Sequence, residues 1–234
     1  MNINELFIPS GKSLHKVVVG QSGSGKSFFL EAGAKAQLKQ NDDPNFRMIY
    51  FSPKNEGFID LLPKDKKKRP VGLVSDVEGM LKTMERQTLT VFYPDPSGLE
   101  ETMEETINSI FDMKDINPEM KCTLIIDDAQ VFLSSRKQAS EGFRRLALLG
   151  RSRSINAIFV SHGLILNKTL EGQVDSLYFF TLPAKVHWKA GEERYGFNPE
   201  PYLEELRSTP YSFVGFDVRT TSARMFSPIG SDKN

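Results

Sequence analysis

The sequence has one cysteine, Cys122, among 234 residues, and its formal net charge is zero. A single cysteine cannot form an internal disulfide, and no Cys or His cluster has zinc-ligand spacing. A small scaffold held by disulfides or zinc is therefore excluded, and a reducing compartment fits. Lys plus Arg and Asp plus Glu number 30 each. Any attraction to nucleic acid or to an anionic membrane has to come from a local patch of charge.

Long apolar runs are also missing. No run approaches the ~18 residues that cross a bilayer, and the first residues, MNINELFIPSGK, lack the apolar core of a secretory signal. We therefore expect a chain that is soluble by itself and not membrane-spanning. A chain of this length with 39% hydrophobic residues can bury one core. We predict a single domain over residues 1–226 and a flexible C-terminal tail over residues 227–234.

What the sequence does have is an alternation of strand-like and helix-like segments. Helical spacing is found at 76–87, 99–113, 140–150 and 184–197, and strand composition at 17–19, 47–52, 89–94, 122–128, 155–161 and 175–182. Alternation of this kind predicts an α/β fold, in which right-handed crossovers build a mainly parallel central sheet flanked by helices. Residues 210–218 and 222–226 predict an antiparallel pair at one edge of that sheet.

The stretch VVVGQSGSGKSFFL, residues 17–30, is typical of a strand, a phosphate-binding loop and a helix. Glycines at 23 and 25 allow positive φ and turn successive amide N–H groups toward a phosphate. A glycine-rich loop that fits the pattern by chance is disfavoured by the flanking strand and helix. We predict that Lys26 contacts the β- and γ-phosphates and that the Ser27 hydroxyl binds Mg²⁺. The predicted nucleotide-binding residues are Gly20, Gln21, Ser22, Gly23, Ser24, Gly25, Lys26 and Ser27.

A second motif, LIIDDAQ at residues 124–130, places Asp127 and Asp128 at the end of a buried strand. Ligands bind at this end of the strands in a doubly wound sheet. Neighbouring side chains of a strand point to opposite sides, so we expect separate roles: Asp127 holds Mg²⁺ through water, and Asp128 is the general base for the attacking water. Hydrolysis is favoured over transfer, because a metabolite kinase does not need the second carboxylate. A solvent-exposed acidic turn is the alternative.

A third motif, LLGRSRSINAIFVSH at residues 148–162, offers two arginines before a strand and His162 after it. Arginine suits the charge that develops on a γ-phosphate. We expect Arg151 to lie at the rim of the domain and to reach a neighbour's nucleotide, which requires an oligomer. Arg153 is the next candidate, and a solvated basic face is the alternative for both. His162 is predicted to sense the γ-phosphate, with a hydrogen-bonded histidine at a strand end as the alternative.

A basic segment, PKDKKKRP at residues 63–70, lies between two prolines, and we expect a mobile loop there. If several copies of this loop lined the channel of a ring, positive charge would be concentrated along the DNA, although each chain is neutral overall. A solvated loop and a nuclear import signal are the alternatives. The candidate DNA contacts are Lys64, Lys66, Lys67, Lys68 and Arg69.

Taken together, the motif at 20–27, LIIDDAQ, and Gly150-Arg151 before an apolar strand resemble the FtsK/HerA superfamily of DNA-pumping ATPases. Within it, the chain is most similar to the genome-packaging ATPases of membrane-containing icosahedral viruses, the type seen in tectiviruses and, more distantly, poxviruses. The match covers roughly residues 15–182. The resemblance implies a trans arginine finger at Arg151 and a sensor at His162, where the family usually has Gln.

The resemblance also implies an activity. It is that of an ATP-driven translocase, dependent on Mg²⁺, that packages double-stranded DNA into a preformed capsid. The working unit would be a homo-oligomeric ring, a hexamer or pentamer, that contacts capsid vertex or viral membrane proteins in the host cytoplasm and the virion. One alternative is a related DNA pump or helicase in conjugation, segregation or repair. Another is a nucleotide-gated virion assembly protein.

Overall fold

The structure, a computed structural model, describes residues 15–133, 139–164, 166–182 and 185–228. The strands are β1 (His15–Val19), β2 (Phe46–Phe51), β3 (Leu73–Val74), β4 (Leu89–Phe92), β5 (Lys121–Ile126), β6 (Ile155–Ser161), β7 (Val174–Phe179), β8 (Phe213–Asp217) and β9 (Ser222–Phe226). The helices are α1 (Lys26–Gln40), α2 (Val77–Met84), α3 (Leu99–Ile116), α4 (Glu141–Leu149), α5 (Lys168–Glu171), α6 (Lys185–Tyr195) and α7 (Leu203–Ser208). The first residues of the chain and most of the predicted tail, from 229 onward, lie outside the described residues.

The described strands form one nine-stranded sheet in the order β3-β4-β2-β5-β6-β1-β7-β8-β9. Strands β1 to β7 pair in parallel, whereas β8 and β9 add an antiparallel edge. The predicted α/β fold is confirmed, including the antiparallel pair near the end of the chain. The order of the strands in the sheet places β6 between β1, which precedes the glycine-rich loop, and β5, which precedes the two aspartates. The three motifs therefore end on neighbouring strands.

Side chains of the parallel strands alternate between two hydrophobic layers. In β2, Ile49 and Phe51 pack in the layer that contains residues of α2, α3 and α4. Met48 and Tyr50 pack in the opposite layer, with residues of α1. Because a strand buried on both faces has no polar side to present, these segments are continuous apolar runs in the sequence. Burying each large side chain contributes roughly 1.5–3 kcal/mol, so the layers hold the strand ends that carry the motifs in place.

The elements that the sequence did not predict are short. β3 has two residues, α5 has four and α7 has six, which is too few for a hydrophobic period to show. α5 begins because the Asn167 side chain accepts a hydrogen bond from the Leu170 N–H at 3.1 Å, a local cap. Among the described residues, no helix combines the length and apolarity that crossing a membrane requires.

Candidate nucleotide site

The glycine-rich loop has the geometry of a phosphate cradle. It joins β1 to α1, and Gly23 and Gly25 have φ of 74° and 99°, so the predicted left-handed conformation at both positions is confirmed. A Cβ at Gly20 would lie 2.6 Å from Phe180 Cβ and 2.6 Å from Ser24 Oγ. Only glycine fits there without displacing the loop. α1 begins at Lys26, so the helix N-terminus, which attracts anions, opens onto the same space.

The Lys26 ammonium is held inside this loop. Its Nζ donates to the carbonyl oxygens of Gly20 at 2.6 Å and Gln21 at 3.0 Å. The side chain is buried, and burial lowers the pKa of Lys26, while Asp127 and Asp128 act in the opposite direction. A phosphate near this ammonium would replace carbonyl dipoles with full negative charge and would stabilise the charged form.

Asp127 follows β5 and is half-buried. One of its carboxylate oxygens accepts from the Tyr50 hydroxyl at 2.8 Å, and the other accepts from the Asp128 N–H at 3.0 Å. Burial raises the pKa of Asp127, and the Tyr50 hydrogen bond opposes this. Each oxygen keeps a lone pair, so the carboxylate can accept a further water or ligand.

Asp128 corrects one expectation about the acidic pair. β5 ends at Ile126, and Asp128 has φ of 49° in the left-handed region, which aspartate tolerates better than most residues. This turn brings both carboxylates to the same cavity, so the expectation that they point to opposite sides, as in a strand, is wrong. Strained backbone of this kind is concentrated at functional sites. The two aspartates are distinguished by their partners rather than by the side they face.

The partners of Asp128 come from three separate segments. The Lys54 ammonium lies 2.7 Å from Asp128 Oδ2, and His162 Nε2 lies 3.3 Å from Oδ1. Gln130 Nε2 donates to Oδ1 at 3.0 Å. His162 is therefore adjacent to the acidic pair, at the carboxyl end of β6. The alternative interpretation of a solvent-exposed acidic turn does not hold for Asp128, because this residue is buried.

Lys54 is a site residue that the sequence analysis missed. It lies in the loop after β2, where Asn55, Gly57 and Phe58 all have positive φ. The Phe58 N–H donates to Glu31 of α1 at 2.9 Å, and the Phe58 ring stacks on Tyr50 with centroids 4.0 Å apart. These contacts fix the loop and present Lys54 to Asp128. The polar segment SPKNEG after a buried strand is the only available signal in the sequence, and it does not specify the pairing.

The loop, the acidic pair and the end of β6 enclose one cavity of about 270 Å³. It lies at the carboxyl ends of the parallel strands, where α/β sheets bind ligands. Residues predicted from the sequence that line it are Ser22, Gly23, Gly25, Lys26, Ser27, Asp127, Asp128 and His162. The other lining residues are Phe28, Lys54, Glu56, Val160, Ser161 and Tyr211. Gly20 and Gln21 act through the carbonyls that hold Lys26, and Ser24 is buried within the loop.

Arg151 lies at the amino ends of the parallel strands, opposite to the carboxyl ends where the cavity lies. It is exposed in the turn between α4 and the first residue of β6, whereas the cavity is at the last residues of β6. β6 has seven residues, which span about 20 Å. Arg151 therefore does not line the nucleotide cavity of its own chain. Arg153 is paired with Asp115 of α3 at 2.6 Å, and the Arg145 guanidinium lies 4.4 Å from the Phe111 ring centroid.

The turn that carries Arg151 is tightly packed. A Cβ at Gly150 would lie 2.5 Å from the Leu146 oxygen and 2.8 Å from the Ile155 oxygen, so glycine is required. His15 reinforces this junction: its Nδ1 accepts from the Ala157 N–H at 3.1 Å, and its Nε2 lies 3.1 Å from the Leu146 oxygen. Burial lowers the pKa of His15 to about 4, so the ring is neutral at pH 7. The backbone before and after Arg151 is thus held by defined contacts.

The basic segment at 63–70 is a closed hairpin rather than the expected mobile loop. Lys64 and Pro70 form an antiparallel bridge, and the Asp65 carboxylate accepts from the N–H groups of Lys67 at 2.8 Å and Arg69 at 2.9 Å. The flanking prolines favour a loop, but the aspartate side chain supplies the turn. The candidate DNA-contact residues are all exposed on it: Lys64, Lys66, Lys67, Lys68 and Arg69.

The site offers two oxygen ligands that suit Mg²⁺ bound together with a phosphate. In the part of the chain that the structure describes, no three His, Cys, Asp or Glu side chains form a metal-binding group. The Ser27 hydroxyl and the Asp127 carboxylate do line one cavity beside the phosphate loop. Mg²⁺ usually takes one or two protein oxygens and completes its shell with phosphate and water. These two oxygen ligands fit that mode of binding.

Comparison with known proteins gives matches among solved structures. No protein-family model and no curated protein sequence matches the chain. The genome packaging NTPase B204 from Sulfolobus turreted icosahedral virus 2, in complex with AMPPCP, has a TM-score of 0.68 at 16% identity, covering 98% of this chain and 100% of that chain.

Two larger proteins contain a similar unit. The pCW3 conjugation coupling protein TcpA has a TM-score of 0.53 at 14% identity, covering 93% of this chain and 60% of that chain. EssC ATPases 2 and 3 from Geobacillus thermodenitrificans have a TM-score of 0.56 at 10% identity, covering 96% of this chain and 41% of that chain. At such identities the likeness shows the fold. The chain shares the fold of these NTPases, and the predicted P-loop NTPase fold is confirmed.

Proposed function

We propose that the chain is an ATPase that moves double-stranded DNA into a preformed viral capsid. The observation that carries the ATPase proposal is that one cavity holds the phosphate loop, two carboxylates and the polar end of β6. Packaging is supported by the similarity in fold, over nearly the whole chain, to a structure described as a genome packaging NTPase. The likeness to a conjugation coupling protein keeps a related DNA pump as the second candidate.

Nucleotide binding follows from the chemistry of the loop. The N–H groups at the start of α1 and the Lys26 ammonium attract the phosphates. Ser27 would hold Mg²⁺ directly and Asp127 would hold it through water, and the ion would supply positive charge to the phosphates. Tyr50 positions the Asp127 carboxylate by its hydrogen bond. The remainder of the site acts on the terminal phosphate.

Asp128 is the proposed general base for the attacking water. The Lys54 ammonium lies 2.7 Å from Asp128 Oδ2 and competes with a water for this oxygen, which opposes the role. A γ-phosphate offers the Lys54 ammonium a second anion and would draw it away from Asp128. Lys54 thereby couples the arrival of nucleotide to the release of the base. His162, 3.3 Å from Asp128, is placed to sense the same phosphate.

The charges of the cavity favour a contribution from outside the chain. Its described lining carries two lysines and three carboxylates, a formal charge of 2 − 3 = −1 before any triphosphate enters. Transition-state charge on the γ-phosphate would therefore be poorly compensated, even with one Mg²⁺. Arg151 lies too far away to help its own site, so we assign it to the site of a neighbouring subunit. The working unit in this proposal is a ring, with six or five subunits.

The basic hairpin is the proposed DNA contact. Its lysines are exposed at a turn beside the short edge strand β3, where they do not stabilise the core. Lysines that reach phosphates bind DNA without sequence preference, as a pump that must move any genome requires. The ring would gather several copies of this hairpin. We also propose that the ring contacts a capsid vertex or viral membrane protein. Such contacts would place the protein in the host cytoplasm and in the virion.

The proposal is tested by measuring ATP turnover at several protein concentrations, with and without duplex DNA. Turnover per subunit should rise with protein concentration as rings form, and duplex DNA should stimulate it further. Turnover that DNA does not stimulate would favour a nucleotide-gated assembly protein and overturn the translocase proposal. Association with capsids, measured by co-sedimentation, separates a packaging motor from a pump or helicase in conjugation, segregation or repair.

A further inference from the structure

A second cavity, about 430 Å³ in volume, adjoins the phosphate cavity and differs from it in character. It is lined by Gly25, Phe28, Phe29, Phe180, Tyr211 and Phe213, with Pro228 at its end. Three of these residues, Gly25, Phe28 and Tyr211, also line the phosphate cavity. The two cavities therefore adjoin each other at the start of α1. A ligand that fills both would have a charged end and a flat apolar end.

The side chains between the two cavities are large, apolar and exposed. Phe28 is 58% exposed and Tyr211 is 57% exposed, although most aromatic residues of the chain are buried. Tyr211 has φ of 65°, and its ring lies 3.0 Å from the position that a Cβ on Gly25 would take. A bulky residue in the left-handed region is uncommon. Backbone strain and exposed aromatic area at one point indicate a surface that a ligand covers.

The lining also determines what can be recognised. Among the described residues that line this cavity, none has a carboxylate, ammonium, guanidinium or amide side chain. The cavity can stack on a planar ring, but its side chains supply almost no pattern of donors and acceptors to read the ring's edge. Discrimination between purine bases depends on such polar contacts. Stacking, in contrast, tolerates any base because every base has a π-face.

We propose that this aromatic cavity holds the nucleobase by stacking and accepts guanine about as well as adenine. The proposal rests on the nucleotide site proposed above and states which bases that site accepts. Phosphates on Lys26 and the start of α1 would direct the rest of the nucleotide past Phe28 and Tyr211 into the apolar space. Exposure of these two rings leaves the polar edge of the base hydrated, so neither purine loses its hydrogen bonds on binding.

The test compares ATP, GTP and inorganic tripolyphosphate, each with Mg²⁺, on the full chain and on Phe28→Ala. The full chain should bind ATP and GTP within about tenfold of each other. Phe28→Ala should weaken both nucleotides by about tenfold to a hundredfold, the usual effect of removing one stacking ring, and leave tripolyphosphate unchanged. Phe28→Tyr should restore binding. Ile116→Ala is the matched control, because Ile116 is 85% exposed at the far end of α3.

Two results would overturn the proposal. One is a preference of the full chain for ATP over GTP of more than about a hundredfold, since such a ratio needs polar readout. The other is unchanged ATP affinity in both Phe28→Ala and Tyr211→Ala, which would leave the cavity to another occupant, such as the residues after Pro228. If tripolyphosphate does not bind but both aromatic variants weaken both nucleotides, the phosphate-loop proposal fails and the base subsite stands.

Discussion

The two edges of the sheet handle charge in different ways. At the carboxyl edge, Lys26 and Asp128 are buried: Lys26 donates to two carbonyls, and Asp128 contacts the exposed Lys54 and the half-buried His162. At the amino edge, Arg151 is exposed in a turn whose backbone is fixed by Gly150 and its neighbours. Buried groups suit the binding of a nucleotide by one chain, whereas an exposed cation on a rigid turn can also reach another molecule.

The difference between the two edges underlies the proposal that a neighbouring subunit completes the reaction site. The carboxyl edge can collect phosphates, but its described lining has more carboxylates than lysines. The arginine that we assign to a neighbour's site, Arg151, lies at the other edge, about a strand's length away. A head-to-tail ring would place the amino edge of one subunit against the carboxyl edge of the next, and a closed ring is how such heterologous contacts terminate.

The largest effect is expected from Lys26→Ala. Because this change removes the ammonium that faces the phosphates, nucleotide binding and turnover should both be abolished. Equilibrium binding of ATP and a phosphate-release assay measure the two effects. Lys35→Ala is the control, since it removes an exposed lysine from the same helix. Retained turnover in Lys26→Ala would refute the assignment of the phosphate loop.

Arg151→Ala should lower kcat by ~10³ or more, because an arginine finger acts on transition-state charge. Nucleotide affinity should remain nearly intact. Steady-state kinetics at protein concentrations that saturate ring formation measure the effect. Arg144→Ala removes another exposed arginine, from the preceding helix α4, and should have little effect. Equal reductions of kcat in both variants would indicate that these arginines belong to a solvated basic face.

Asp128→Asn should reduce hydrolysis by roughly two orders of magnitude, the usual contribution of a general base. Asparagine also tolerates the left-handed backbone at this position, so the fold should be preserved. ATP and Mg²⁺ should still bind, because the metal role lies with Asp127. Calorimetric titration of Mg²⁺-ATP separates binding from turnover. If Asp127→Asn spared metal binding and Asp128→Asn abolished it, the two assigned roles would be reversed.

The smallest effect is expected at the basic hairpin. Neutralising Lys66, Lys67, Lys68 and Arg69 to Gln should weaken duplex binding equally for all sequences. For each phosphate that the protein no longer neutralises, the slope of log affinity against log salt should fall by about 0.9. Fluorescence anisotropy over a salt series measures the slope, with Lys35→Gln as a control. An unchanged slope would identify the hairpin as a solvated turn.

Long elements and local motifs could be predicted from the sequence. The strand predicted at 155–161 is β6 in the structure, because a buried apolar strand has few alternative interpretations. The phosphate loop and its left-handed glycines are predictable as well, since both depend on residues close in the chain. The edge strand β3, with two residues, leaves no pattern to detect.

Contacts between distant residues could not be predicted. Lys54 meets Asp128 only because β2 and β5 are neighbours in the sheet, and a single sequence does not contain that adjacency. The left-handed turn at Asp128 overrides the simple alternation of a strand. Phe28 and Tyr211 line the same two cavities although they are far apart in sequence. In the sequence, the apolar residues after the phosphate loop indicate only a helix.

Whether a neighbour completes the phosphate site can be measured by mixing Arg151→Ala subunits with Lys26→Ala subunits. Each variant alone should be inactive. In mixed rings some interfaces pair an intact phosphate loop with an intact arginine, so part of the ATP turnover should return. A mixture that remains inactive while both variants still form rings would contradict the claim.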